Sequence, residues 1–130
     1  MTGVVYHMCR QDEWDQACEA GRYQGSSQDL ADGFIHFSSA AQIRISAARH
    51  RAGQHGLVLL EADEEALQES ARRNSEKGLI WEESRSGALF PHYYGAFETE
   101  AVVRSAPLPL DEQGNHVFPE WFDDEGLDQI

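Results

Sequence analysis

The segment Gly33-Phe34-Ile35-His36-Phe37-Ser38-Ser39 decides how this chain is read. A run of aromatic and β-branched residues between a glycine and two serines predicts a short, largely buried strand over Phe34 to Phe37. Ser38 or Ser39 then caps a helix that carries Ile43, Ala47 and Ala48 and stops near Gly53. Side chains alternate along a strand, so Ile35 and Phe37 point away from His36 while Ser38 lies on its side. Ser39 follows at a helix start, where unpaired N–H groups favour an anion. Two readings stand: a cradle for a phosphate or ribose, or a hydrogen-bonded core histidine beside capping serines.

Working outward, Val4 to Cys9 reads as a strand with Val5 and His7 on one face and Tyr6 and Met8 on the other. Gln11 to Ala20 has Trp14, Ala17 and Cys18 at helical spacing, acidic residues in its first turn and Gly21 at its end. Gly25 to Gly33 is rich in small and polar residues and reads as a loop. Leu57 to Leu60 is a continuous apolar run, hence a central strand, with Glu61 at its end. Asp63 caps a short helix through about Arg72, and Leu79 to Glu82 forms a further strand. Residues 84–92 read as a loop, and the strand beginning at Ala101 is held to a sheet edge by Pro107 and Pro109. Few helices among short strands and long loops predict an α+β domain.

With 130 residues, 41% of them hydrophobic, the chain suits one domain with a proper core. A net charge of −13 speaks against non-specific nucleic-acid binding, although Arg44, Arg49, His50 and Arg51 leave room for a local anion site. The start lacks the pattern of a signal peptide and no run approaches a membrane span, so a cytoplasmic protein with reduced Cys9 and Cys18 is expected. Seven acidic residues and no Lys or Arg follow from Asp111 onward, yet Phe118, Trp121 and Phe122 predict that part of this tail docks. The domain is placed at 1–119 and the acidic tail, partly docked, at 120–130.

No Gly-rich dinucleotide fingerprint, P-loop or nucleophile elbow occurs. Phe90-Pro91-His92-Tyr93-Tyr94-Gly95 reads as an aromatic loop suited to stacking on a flat ring, or equally as a plug for one end of the core. Trp81-Glu82 sets a carboxylate beside a large apolar ring, where acid or base work is open to it. His7, His36 and His92 show no metal-ligand spacing, so no metal is expected; a metal-dependent hydrolase would require the three to converge.

Together Tyr6-His7-Met8, Asp32-Gly33-Phe34-Ile35-His36-Phe37-Ser38-Ser39 with Gln42, Leu57-Val58-Leu59-Leu60-Glu61, Trp81-Glu82 and Phe90-Pro91-His92-Tyr93-Tyr94-Gly95 resemble domain-of-unknown-function family 952. This resemblance implies a small bacterial protein with an ADP-ribosyltransferase-like fold, split and bent small sheets gripping NAD in a central cleft. It implies His7, His36 and Glu82 as catalytic or ligand-orienting groups. Ser38, Ser39, Gln42, Trp81, Phe90, His92, Tyr93 and Tyr94 would bind the ligand, with Tyr93 or Tyr94 as the wall for nicotinamide. NAD would be a substrate of a transferase acting on a small nucleotide. The departure is the late-strand glutamate, since Glu82, Glu98 and Glu100 stand in no recognisable motif. A catalytically inert nucleotide- or peptide-binding module is the alternative.

Overall fold

The computed structural model describes residues 3–84 and 86–122. In chain order these form β1 (Val4–Arg10), α1 (Gln11–Ala20), β2 (Arg22–Tyr23), α2 (Ser27–Asp32), β3 (Ile35–His36) and α3 (Ala40–His50). There follow β4 (Leu57–Asp63), α4 (Glu64–Arg73), β5 (Gly78–Glu83), β6 (Leu89–Tyr94), β7 (Phe97–Glu98) and β8 (Val102–Pro107).

The apolar run of β4 is explained by its position in the middle of the antiparallel sheet β1-β4-β8. Leu57 and Leu59 pack with Tyr6, Met8, Ile43 and Ala47 under α3, whereas Val58, Leu60 and Ala62 pack with Val5, Ile35, Phe37, Tyr93 and Phe97 toward the other sheets. Both faces of β4 are therefore core, and an alternating pattern would have left one of them polar. A second antiparallel sheet has the order β3-β6-β5, and β2 pairs with β7. The two larger sheets meet where Tyr6 and Ser38 exchange backbone hydrogen bonds, both 2.8 Å long. The result is an α+β arrangement of several small antiparallel sheets with few helices. Among the described residues no helix is long and apolar enough to cross a membrane.

Three expectations need correction. The loop expected over Gly25 to Gly33 contains α2, because Ser26 caps it by accepting the Asp29 N–H while the Asp29 carboxylate reaches back to the Ser26 N–H. The loop expected over residues 84–92 instead runs into β6, the middle strand of its sheet, despite Pro91. Proline is tolerated there because the neighbouring strand is so short: Phe37 donates its N–H to the Pro91 carbonyl at 3.0 Å, and Pro91 has no N–H to return. The same deficit shortens β3 to Ile35–His36 where a strand to Phe37 is expected.

Two further contacts shape the periphery. The Gln68 side chain of α4 donates to the Leu79 carbonyl at 2.8 Å and accepts the Leu79 N–H at 3.0 Å, on the open edge of β5. After β8 the chain returns across α3, where Phe118 and Phe122 are buried against Tyr6, Ile43 and Ala47. The rest of the acidic tail, 123–130, lies outside the described residues.

Glu61 is 2% exposed. It accepts from Tyr6 Oη at 2.7 Å and from Arg104 Nε and Nη2 at 2.9 and 3.1 Å. Removing only the cation leaves a buried charge, so Arg104→Met is expected to destabilise the fold by about 3 kcal/mol, the low end for such a break because Arg104 is partly exposed. The double variant Glu61→Gln/Arg104→Met keeps the acceptor for Tyr6 without the charge and should recover much of the loss in urea unfolding. Equal losses in the two variants would contradict this account.

Candidate functional site

His36 stands opposite His92 in the register of β3 and β6, so both rings project from one face of the sheet, with centroids 5.8 Å apart. Asp29 fixes the first ring. Its Oδ1 lies 2.6 Å from His36 Nδ1 and also accepts the His36 N–H at 3.1 Å, while Oδ2 accepts the Ser26 N–H and hydroxyl at 2.8 and 3.0 Å. Burial opposes charge on Asp29, but the hydrogen bonds from His36 and the Ser26 backbone outweigh it and hold this carboxyl well below its usual range. His36 Nε2 meets a second carboxylate, Asp32 Oδ2, at 3.1 Å.

His92 is held differently. Its Nδ1 lies 2.8 Å from Glu82 Oε1, which also accepts the Tyr94 hydroxyl at 2.7 Å. These two hydrogen bonds, Tyr94 first, lower the Glu82 pKa. Phe34 stacks on the His92 ring at 4.1 Å and 26° and packs beside His36 at 4.5 Å.

His7 belongs to the floor of this site. Its Nδ1–H donates to the His36 carbonyl at 2.6 Å, and its Nε2 accepts from the Tyr23 hydroxyl at 2.7 Å, the assignment required by a carbonyl partner. Burial lowers the His7 pKa despite the neighbouring Asp29, so the ring is neutral. With 2% exposure and both nitrogens engaged, His7 braces β1 against β3 at the base of the cleft, whose lining it joins.

A cleft of about 540 Å³ lies over this floor. His36, Ser38, Phe90 and His92 line it, and Ser46, His50 and Arg51 of α3 and the turn after it complete the opposite wall. Ser38 Oγ pairs with Ser46 Oγ at 3.1 Å. A second concavity of about 550 Å³ behind Phe34 is lined by Arg22, Gln24 and Leu30, but Arg22 already donates to Asn74 and to the Ala96 carbonyl. Titratable side chains converge in the first cleft.

Several expected ligand contacts are placed elsewhere. Tyr93 is fully buried and packs on Phe97, because the β6 alternation that turns His92 to the cleft turns Tyr93 to the core. Trp81 faces away from the histidines with Pro91, and its indole N–H donates to Glu64 at 3.2 Å. Ser39 is the N-cap of α3, and Gln42 accepts the Ser39 N–H while donating to the Leu89 carbonyl, so both are structural. Tyr94 lies on the histidine face but is tied to Glu82. His7, His36 and His92 do not converge as ligands, and among the described residues no group of three or more His, Cys, Asp or Glu side chains could hold a metal ion. Burial pushes the Cys9 thiol up to about 12, which leaves it inert as a nucleophile.

Sequence reasoning assigns no role to Asp29, Asp32 or Phe34, whereas Arg51 belongs to the local anion site it allows. For Asp29 a signal existed: Ser26-x-x-Asp29 is a capping-box spacing, and it identifies a helix just before the histidine strand.

The sequence profile of a family described as "Protein of unknown function (DUF952)" matches residues 8–105. The crystal structure of protein CC0527 from Caulobacter crescentus is 40% identical, with a TM-score of 0.79 over 92% of this chain and 98% of that one. Its solution NMR structure gives 41% identity and a TM-score of 0.72 over 93% and 95% of the respective chains. A comparison with curated proteins finds no match.

Both His7 and Asp29 bind protons less readily in the folded chain than their ordinary values of 6.5 and 3.8. The unfolded chain then holds more protons, so stability rises with pH through each window. The His7 contribution is complete above its ordinary 6.5 and is lost as pH falls toward its folded value; the Asp29 contribution follows below its ordinary 3.8. Denaturant unfolding between about pH 7 and pH 5 should show this fall, and His7→Gln should flatten it. An unchanged pH slope in that variant would contradict the assignment of His7 as a neutral brace.

Proposed function

The chain belongs to this DUF952 family, and from the geometry of its cleft we propose that the protein binds a small nucleotide-type ligand there, of the NAD or ADP-ribose kind. The observation that carries the reading is His36, a ring held on Asp29 at 2.6 Å with 42% of its side chain open to the cleft. His7 on the same floor has both nitrogens engaged, whereas His36 and His92 line the cleft, His36 with its Nε2 beside only the part-exposed Asp32. The volume of about 540 Å³ falls within the range of small-molecule sites, roughly 300 to 1,000 Å³. Arg51 supplies positive charge for phosphate, His50 a ring nitrogen, Ser38 and Ser46 hydroxyls for ribose, and Phe90 an aromatic surface.

An ADP-ribosyltransferase-like arrangement is part of the same proposal, supported by small antiparallel sheets packed around a cleft. Glutamate-assisted ADP-ribosyl transfer has less support. Glu82 is engaged by His92 and Tyr94, and Glu98 is engaged by Arg73. Binding is accordingly put ahead of that transfer. A cytoplasmic setting fits the two free thiols, Cys9 and Cys18.

Thermal unfolding with ADP-ribose and NAD tests the reading. A ligand at a hundredfold excess over its Kd stabilises by about 2.7 kcal/mol. That gain should disappear in His36→Ala and shrink in Arg51→Ala, while Trp81→Ala, on the far face, should keep it. Absence of a shift with both nucleotides, or a shift that survives His36→Ala, would reject the assignment.

A further inference from the structure

We propose that His36 and His92 are a general acid and a general base that hydrolyse a phosphodiester of a nucleotide bound in the cleft, an inference that rests on the nucleotide-binding reading. The two rings are cross-strand partners on one face with centroids 5.8 Å apart, and each is anchored through Nδ1 by a carboxylate. Their surroundings make them unequal. His36 has a carboxylate oxygen beside each nitrogen, Asp29 at 2.6 Å and Asp32 at 3.1 Å, the surroundings of a proton donor. His92 faces Glu82 through Nδ1 alone, which sets the tautomer that leaves an Nε2 lone pair. One ring is built to give a proton and the other to take one.

The step balances with water as the only co-reactant. His92 Nε2 takes a proton from water as the water oxygen bonds to phosphorus. The bond from phosphorus to the sugar oxygen breaks, and that oxygen takes the proton from His36 Nε2. His92 ends as imidazolium and His36 as neutral imidazole, and exchange with solvent restores both. Asp32, itself 39% exposed, yields its contact on His36 to the sugar oxygen, and Arg51 faces the phosphate. The bond class follows from the acid: protonation matters most for a strongly basic alkoxide, which a sugar ester releases and a pyrophosphate does not. A glycosidic bond is less suited, since the Asp29 and Glu82 carboxylates are bound to the two histidines.

The full chain should be incubated with adenosine 2′,3′- and 3′,5′-cyclic phosphates and followed by phosphorus NMR. The expected result is hydrolysis to the monophosphate with a bell-shaped pH profile, set by the two rings with Asp29, Asp32, Glu82, Tyr94, His50 and Arg51 around them. His36→Ala and His92→Ala should each lower kcat by about a hundredfold or more, with thermal unfolding checking that each variant folds. Glu82→Gln, a positioning variant that keeps the ring, should move the acidic limb to lower pH, a change that a purely structural role would not produce. Stabilisation by ADP-ribose or either cyclic phosphate with no hydrolysis would overturn the acid–base pair and leave the binding reading intact. Hydrolysis unaffected in both folded histidine variants would overturn it equally, and no stabilisation by any of these nucleotides together with no turnover would overturn both readings.

Discussion

The Asp29 carboxylate is the constraint on which the site depends. Buried to 2% exposure, it receives hydrogen bonds from the Ser26 N–H and hydroxyl and from the His36 N–H and ring. A carboxylate removed from water must be satisfied in this way or give up its charge. The consequence is mechanical: α2, with only six residues and few partners, is tied to β3 through one side chain. His36 then has its carbonyl on His7 and its ring on Asp29, so the backbone position and the ring orientation are fixed by separate partners. Loss of Asp29 would release the helix, the strand and the ring together.

Electrostatics in the cleft run against the character of the whole chain. The net charge of −13 repels polyanions at long range. Within the cleft the nearest carboxylates are engaged by histidines, and the cation Arg51 stands at the end of α3. A small anion that is close enough meets hydrogen-bond donors and a guanidinium, whereas a long nucleic acid meets the acidic exterior. Net charge filters by size here as well as by sign.

Where burial and period coincide, the fold is legible in the sequence. Val4 to Arg10 alternates between two cores, Leu57 to Ala62 is apolar on both faces, and α1, α3 and α4 carry recognisable starts and stops. Legibility ends where an element is shorter than one period of its pattern. The six residues of α2 are polar and small because their work is capping and hydrogen bonding, so composition reads them as loop. Pro91 conceals β6, since proline in a middle strand is excluded unless the neighbouring strand stops at that position. The site is half legible for the same reason. His36, His92, Ser38 and Phe90 share the cleft, but Tyr93 and Trp81 alternate away from it once β5 and β6 are known to be paired strands. The equivalence of His7 with His36 fails on hydrogen-bond partners, which no spacing in the chain records.

The Gln68 side chain carries a consequence beyond its own helix. A primary amide has the same donor and acceptor as a peptide group, and at Leu79 it occupies both positions that a further strand would use on the edge of β5. The sheet thus ends against a counterfeit neighbour one residue long. An exposed edge with Ile80 and Trp81 beside it is a template for a second chain, and one side chain placed at its entrance interrupts the register from which such pairing would start. Gln68 guards the solitude of this sheet.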